Sequence, residues 1–333
     1  MIQTSGTANG LPPGLLSSTR ILRFLLPALA LWLFGIVLPG KANAGSPTCT
    51  ASTTSIAFGN VDVIAGAAVD TTATITVSCS GGSGNGQRLC ISIGSGATFT
   101  GSTRQMLGPN GARLDYELYE DAARTIPWGS WQTGWNSSGL QRDVAQSSTT
   151  NTTIYARLFG SQQTALAGSY SSAFTANPYI QYDDKGTSSC PTGSRAISNS
   201  TTATATVVSS CTINVTNLNF GTVGQLTANI DATSSVAPQC TNGLPYTVSL
   251  DGGLTGATDP TLRKMTKTTE QITYGLYRDA ARSLSWGSTV GTNTAAQTGT
   301  GLTQSMVVYG RVSPQTGRSP GAYTDTVVAT IIY

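Results

Sequence analysis

Short segments in which polar and apolar residues alternate recur along most of the chain. Clear examples are residues 72–78, 89–93 and 246–250. A period of two residues places every second side chain on one face of a strand, so each segment predicts a β-strand with one buried face. No long segment has the 3.6-residue period of an amphipathic helix, and turn-forming residues separate the segments. The pattern predicts an all-β protein built from antiparallel sandwiches.

The strand pattern occurs twice. Three groups of residues, 49–59, 116–130 and 155–170, recur in the same order as 211–221, 274–288 and 309–323. The shared order indicates a tandem duplication with changes in loop length. The sequence therefore predicts an N-terminal domain over 45–195, a linking segment over 196–210 and a C-terminal domain over 211–333.

The first 44 residues have the features of a secretory signal peptide. Arg20 and Arg23 precede an apolar run over 24–38, and small residues at Ala42 and Ala44 fit a cleavage site. A run of about 15 apolar residues is short for a membrane span of ~20. We expect cleavage after Ala44 and export through the periplasm to the cell surface.

Charge and composition narrow the function. Only 10% of the 333 residues are charged, against about 25% in ordinary domains. The three charged residues of the predicted signal peptide are basic, so the rest of the chain has 15 basic and 15 acidic residues and no net charge. Proteins that bind nucleic acid usually do so through an excess of basic residues. A chain with no net charge lacks that excess, so we expect no nucleic-acid partner.

The chain contains no His, which removes the usual general base and the commonest metal ligand. We expect no enzyme activity, no cofactor and no metal. Glu117, Glu120 and Asp121 are the best candidates for paired catalytic carboxylates. The repeat replaces the two glutamates and keeps the Asp-x-x-Arg of Asp121, which favours a turn cap or a local ion pair.

Six cysteines in an exported chain predict disulfides. The repeat places Cys211 and Cys240 as counterparts of Cys49 and Cys79, which predicts one bridge in each domain. The two remaining cysteines, Cys90 and Cys190, are then left to pair within the first domain.

The shared motifs resemble the spore coat protein U domain. They are a Cys-x8-Phe-Gly opening, Tyr-x-Leu-Tyr-x-Asp-Ala-Ala-Arg before Trp-Gly, Tyr-x-Arg before Gly-x-Tyr, and an apolar ending over 327–333. This domain is the building block of archaic, Csu-type chaperone–usher pili. The resemblance implies two tandem immunoglobulin-like β-sandwiches, the second lacking its final strand.

The resemblance also implies partners. Such open sandwiches are held by a periplasmic pilus chaperone, pass an outer-membrane usher and are completed by a strand from the adjacent pilin subunit. The expected docking residues lie on the last strand of the second domain: Val327, Ala329, Ile331 and Tyr333. If cleavage follows Ala44, four residues precede Cys49, too few for a donor strand at ~3.3 Å per residue. The expectation is a two-domain tip adhesin.

The segment 200–210 alternates like a strand and precedes the second copy, where a donor segment would lie. We expect it to pair with the first domain and complete that domain internally. The alternative is a flexible Ser/Thr linker.

Comparison of the two copies separates scaffold from specialisation. Trp128 and Trp286 occupy the same place, which predicts core residues, whereas Trp131 and Trp135 have no counterpart. Exposed aromatic residues in a loop indicate a binding surface. We expect attachment to abiotic or host surfaces through apolar loop residues of the first domain: Trp131, Trp135, Leu107, Pro109, Leu158, Phe159 and Leu166.

Two other functions remain open. Trp faces near Gln132, Asn136 and Asp143 suit a glycan, which would make the protein a glycan-binding adhesin. The same fold also suits a structural coat or matrix protein with no adhesive site. Packing of the two tryptophans against their own domain is the alternative to any binding role.

Overall fold

The structure, a computed structural model, describes residues 45–333 apart from 83, 137, 187–188 and 192–194. The predicted signal peptide and its cleavage site lie outside the described residues. The described chain forms 21 β-strands and one 3₁₀ turn at Pro109–Gly111. Within it, no helix is long and apolar enough to cross a membrane. The all-β prediction is confirmed.

Thirteen strands belong to the sheets of the first repeat. They are β1 (Thr48–Thr53), β2 (Ile56–Val61), β3 (Val69–Ser80), β4 (Gln87–Ser92), β5 (Thr98–Thr100), β6 (Thr103–Leu107), β7 (Arg113–Tyr119), β8 (Leu140–Val144), β9 (Thr149–Leu158), β10 (Gly168–Phe174), β11 (Tyr179–Asp184), β12 (Arg195–Ser198) and β13 (Thr201–Val207). One sheet has the order β1-β3-β9-β7-β6-β10-β13-β2, with β5 added on β6, and the other has the order β12-β11-β4-β8.

The core of the first repeat follows from the alternation along its strands. In β9, Ile154, Ala156 and Leu158 are buried, whereas the residues between them are partly exposed. Phe58 on β2 meets Tyr116 on β7 edge to face, with ring centroids 6.0 Å apart. Leu89 and Ile91 on β4 and Ile180 on β11 belong to the same cluster, so both sheets contribute to one continuous apolar core.

Strand β13 is the alternating Ser/Thr-rich segment between the repeats. It pairs antiparallel with β10 along its whole length and parallel with β2 on its other side. Ala203, Ala205 and Val207 are buried in the core of the first repeat. The chain thus completes this sheet from within. The purely antiparallel expectation is corrected at the β13–β2 ladder, where the two strands run in the same direction.

Eight strands form the sheets of the second repeat. They are β14 (Cys211–Val215), β15 (Ile230–Cys240), β16 (Pro245–Leu250), β17 (Arg263–Lys267), β18 (Glu270–Tyr277), β19 (Ala295–Thr298), β20 (Met306–Val312) and β21 (Ala329–Ile332). Their orders are β14-β15-β20-β18-β17 and β19-β16-β21. Phe220 and Tyr274 repeat the edge-to-face contact of the first copy, with centroids 6.0 Å apart.

Three disulfides tie the strands together. Cys49 on β1 is bonded to Cys79 on β3, and Cys211 on β14 is bonded to Cys240 on β15, each across a pair of neighbouring strands. Cys90 on β4 is bonded to Cys190, which follows β11. The described cysteines include no free thiol.

The two tryptophans shared by the repeats are core residues, as predicted. Trp128 and Trp286 are fully buried. Trp128 donates from Nε1 to the carbonyl of Ile91 at 3.1 Å, and Trp286 donates to Val248 at 3.0 Å. Each indole therefore joins the corner of one sheet to a strand of the facing sheet.

Candidate functional site

The second repeat contains a groove of about 1110 Å³ along the side where the first repeat holds β13. Its apolar wall includes Leu218, Phe220, Val223, Met265, Ile272 and Tyr323. We call this the acceptor groove. The described part of the second repeat has no strand corresponding to β13, and residues 218–223, which correspond to β2, form no strand either. The backbone amides of a strand need hydrogen-bond partners. In the described chain, residues 218–223 have no neighbouring strand like β13, which explains why they form no strand themselves.

The open groove also lowers the burial of apolar residues in the second repeat. Met106 and Leu114 are fully buried in the first repeat, whereas their counterparts Met265 and Ile272 are only partly buried. The apolar floor of the second repeat is therefore open along the groove. Burial of this apolar surface would be the main favourable contribution to the free energy of binding an added strand.

The expected docking strand lies at the edge of its sheet. Strand β21 pairs with β16 on one side, and its other edge has no strand among the described residues. Val327, Ala329 and Ile331 pack against the core, while Tyr333 is exposed beyond the end of β21. In the first repeat the corresponding strand, β11, carries β12 at that edge.

Polar side chains hold one end of the acceptor groove in place. The single proton of the Tyr323 hydroxyl faces two acceptors, Glu270 Oε2 at 2.6 Å and the Ser319 carbonyl at 2.9 Å. The Ser319 hydroxyl also donates to Glu270, and these bonds lower the pKa of that carboxyl group. Lys267 Nζ donates to Ser319 Oγ at 2.9 Å. These contacts hold the Tyr323 side chain in its position at the edge of the acceptor groove.

Aromatic residues gather at one end of the first repeat. The Trp135 ring meets Phe99 edge to face, with centroids 5.1 Å apart, and the Arg104 guanidinium lies 5.5 Å from the Trp135 ring centroid. Phe99 is 54% exposed, whereas Trp135 and Trp131 are half-buried. We call Phe99 and Trp135 the distal aromatic cluster. The ring of Trp131, in the same loop as Trp135, lies beside Gly139 instead.

A cleft of about 500 Å³ lies beside Trp135 and Phe99. Phe174 and Asn177 line it on one side and the backbone of 94–97 on the other. Gly96 has φ +77°, and a Cβ there would lie 2.6 Å from Ser172 Oγ, so the close approach of this backbone requires glycine.

The distal aromatic cluster lies far from the second repeat. Strand β10 runs from Gly168, paired with Val207, to Phe174 in the cleft wall. Seven residues at ~3.3 Å each span about 20 Å. Since Val207 leads directly into the second repeat, the cluster marks the opposite end of the first repeat.

The other predicted contact residues do not join this cluster. Leu107 is exposed at the β6–β7 turn, Pro109 follows it, and Phe159 donates its amide to Asp115 at the start of β7. Leu166 forms a bridge with Asn242 of the second repeat. These four residues lie at the end of the first repeat that faces the second one.

The assignment of Leu158 to a binding surface is wrong. Leu158 is 1% exposed and belongs to the core. It follows Ile154 and Ala156 at intervals of two on β9, so the strand turns it inward with them.

The carboxylates have structural positions. Glu117 is buried and forms an ion pair with Arg104, and burial raises its pKa. Asp121 accepts hydrogen bonds from the amides of Thr125 and Ile126, at 2.9 and 2.8 Å. Asp279 does the same in the second repeat, so the shared aspartate is a turn cap. Burial raises the pKa of Glu120, which stands beside Asp121.

Of the polar residues considered for a glycan, Gln132 is exposed and Asn136 is half-buried in the loop of Trp135. Asp143 instead lies on β8, where it pairs with Arg88 at 2.9 Å. Asp143 therefore takes part in an ion pair on the sheet surface and does not lie in the loop of Trp135.

Sequence reasoning missed Phe99, Arg104 and Arg263. Arg104 is fully buried and donates to the carbonyls of Ile93, Gly94 and Trp128 at 2.8–2.9 Å. Arg263 donates in the same way to Leu250, Asp251 and Trp286. The matching positions of Arg104 and Arg263 in the two copies are a signal that could have found them, whereas Phe99 has no such match.

The described chain thus consists of two immunoglobulin-like sandwiches, one closed by β13 and one with an open groove. The model of the Spore Coat Protein U domain matches residues 42–177 and again residues 197–330. The chain belongs to this family.

A stretch of 128 residues is 36% identical to Protein U of Myxococcus xanthus, covering 35% of this chain and 71% of that protein. Among solved structures, the chaperone–tip adhesion subunit pre-assembly complex of archaic Csu pili from Acinetobacter baumannii is similar in fold. The TM-score is 0.53 at 17% identity, over 86% of this chain and 100% of that one. A tip adhesin of Pseudomonas aeruginosa has a TM-score of 0.40 at 11% identity, over 86% of this chain and 94% of that one.

Proposed function

We propose that the chain is an adhesin subunit at the tip of a chaperone–usher pilus. The first repeat contacts a surface, and the second repeat joins the fibre. The observation that carries the proposal is the contrast between the grooves: β13 fills the groove of the first repeat, whereas the acceptor groove of the second repeat holds no strand of the described chain.

An open groove requires a partner strand because it leaves apolar side chains and backbone groups unpaired. A periplasmic chaperone would cover it during export, the outer-membrane usher would receive the complex, and a strand from the adjacent pilin would replace the chaperone. The fold similarity to the tip adhesion subunit of a chaperone complex supports the chaperone as the first of these partners. The first repeat needs no such partner, so it is free to act as the terminal domain.

The distal aromatic cluster suits contact with an apolar abiotic or host surface. Exposed aromatic side chains gain free energy when they leave water, and many pili acting together multiply a weak contact. This attachment would support biofilm formation.

The proposal is tested by capture of the pilus chaperone from the periplasm. Val223→Asp places a charge in the acceptor groove, and Val215→Asp places the same charge on an exposed position outside its lining. We expect Val223→Asp to lose the chaperone and Val215→Asp to retain it. Equal capture by both variants contradicts the proposal.

The position in the fibre needs a separate experiment. Antibody against the first repeat should mark the free ends of pili. Decoration along the shaft would exclude a tip subunit and favour a structural coat or shaft role.

The cleft beside Trp135 favours glycan binding as a second candidate, because it combines aromatic faces with the Asn177 amide. Free sugars should then block attachment, whereas a nonionic detergent should block attachment to an apolar surface. These two inhibitors separate the candidates.

A further inference from the structure

We infer that the strand accepted by the second repeat carries short side chains at its inward positions: small or hydroxyl-bearing residues at the centre and a β-branched residue at the end near Gly321. It runs antiparallel to residues 321–327. This inference rests on the proposed function, and its template is β13, which fills the corresponding groove of the first repeat.

The inward residues of β13 are small because its neighbours are large. Ala205 is paired with Tyr170, and Ala203 is paired with Ile56 and Ser172. Tyr170, Ile56 and both alanines are all buried to 97% or more. The neighbouring strands therefore supply the bulk at the centre, and the inserted strand supplies little.

The second repeat keeps the same large neighbours. Leu218, Phe220 and Tyr323 stand where the first repeat has Ile56, Phe58 and Tyr170. Phe220 holds the same edge-to-face contact as its counterpart, with matching 6.0 Å centroid distances.

Tyr323 is also anchored like its counterpart. Its hydroxyl donates to the carbonyl four residues earlier, Ser319, at 2.9 Å, just as Tyr170 donates to Leu166 at 2.8 Å. Glu270 Oε2 is a second acceptor within reach of the same hydroxyl, at 2.6 Å. A bulky side chain above Tyr323 would have to displace a tethered ring, and overpacking of this kind is costly.

The position that faces Ser172 in the first repeat faces Asp325 in the second. Asp325 accepts hydrogen bonds from the Tyr274 hydroxyl at 2.7 Å and from the Leu254 amide at 2.8 Å. A carboxylate has further acceptor capacity, so a Ser or Thr hydroxyl suits the strand residue opposite it. An apolar residue there would leave that capacity unused.

The end near Gly321 accepts more bulk. In the first repeat Val207 lies between Gly168 and Val61. In the second repeat Gly321 and Val223 flank that place, and the floor beneath includes the partly buried Met265 and Ile272. A Val or Ile at this position would cover the floor.

The test uses the full exported chain and two synthetic peptides. The first peptide has the sequence of residues 200–209, Ser-Thr-Thr-Ala-Thr-Ala-Thr-Val-Val-Ser. The second carries Ala203→Phe and Ala205→Phe. Affinity is measured by titration, and hydrogen exchange of amides 218–223 reports whether the peptide lies in the acceptor groove.

We expect the first peptide to protect amides 218–223, and the second to bind at least about tenfold more weakly, as overpacking predicts. Val223→Asp should abolish protection and Val215→Asp should preserve it. Equal or tighter binding of the Phe peptide overturns the inference. If the chaperone is captured while the first peptide fails to bind, the inference also fails but the proposed function stands. If both the chaperone and the peptides fail, the proposed function fails with it.

Discussion

Val61 and Val223 stand at the same position of the two repeats, yet Val61 is 1% exposed and Val223 is 45% exposed. The difference is caused by β13, whose Val207 pairs with Val61. Nothing in the described chain covers Val223 in the same way. One pair of residues thus records which repeat is closed and which is open.

The first prediction follows from this pair. Val61→Ala removes buried methyl groups and leaves a cavity, so it should destabilise the first repeat by roughly 2 kcal/mol. Val223→Ala should change the free energy of unfolding by less than about 0.5 kcal/mol, because the Val223 side chain is already exposed to solvent. Calorimetric unfolding of the two variants measures both effects. Equal losses would mean that Val223 is buried in solution and the acceptor groove is closed.

A second prediction concerns attachment. Phe99→Ser should leave the melting temperature nearly unchanged, because this ring is largely exposed, while reducing attachment to an apolar surface. Leu254→Ser is the matched control, since Leu254 is 71% exposed in the second repeat. Adhesion is counted on polystyrene with equal amounts of surface-displayed protein.

Trp135→Ser should reduce attachment as well, with some loss of stability, because Trp135 packs against both Phe99 and Arg104. Undiminished attachment by Phe99→Ser and Trp135→Ser together would remove the distal aromatic cluster from the binding surface.

A third prediction concerns the buried ion pair. Glu117→Ala leaves the charge of Arg104 in the core without its counterion, which should cost about 3–5 kcal/mol. Urea unfolding of the first repeat measures the loss. In the second repeat Gly275 replaces the glutamate, and Arg263 combines its carbonyl hydrogen bonds with the nearby charges of Asp251, Asp325 and Asp259.

The matched variant is Glu120→Ala, one residue beyond the end of β7 and outside the ion pair. It should have a much smaller effect. Similar losses in the two variants would show that the ion pair contributes no specific stability.

The sequence predicted the features that depend on local order. Alternation identified the strands, and the duplication related Cys211 and Cys240 to Cys49 and Cys79. It also singled out Trp128 and Trp286, whose indoles are buried in both copies. These signals survive without a structure because they are periodic or repeated.

The site was harder to predict because its members are distant in sequence. Phe99 meets Trp135 only through the fold, and Arg104 is a charged residue that composition alone would place on the surface. Leu158 was selected for its place beside a loop, although the alternation of β9 already turned it inward. Leu166 faces the second repeat, which the order of residues could not show.

The last prediction concerns pH. Asp231 accepts hydrogen bonds from Arg311 at 2.7 and 2.8 Å and lies 3.2 Å from Arg282, and these contacts lower the pKa of its carboxyl group. A lowered folded-state pKa contributes stability that is present above the unfolded value of about 3.9 and is lost as pH falls through the folded value. The melting temperature of the second repeat should therefore decrease as the pH is lowered below about 4.

Asp231→Asn isolates this contribution, and the second repeat is the better place to measure it because Glu117, whose pKa is raised by burial, lies in the first. The wild-type chain should melt at a higher temperature than Asp231→Asn at pH 6, and the difference should shrink as the pH falls to 2. Between pH 6 and 8 the difference should stay constant, because the chain has no His to titrate there. A difference that is the same at pH 2 and pH 6 would show that Asp231 stabilises the sheet without its charge.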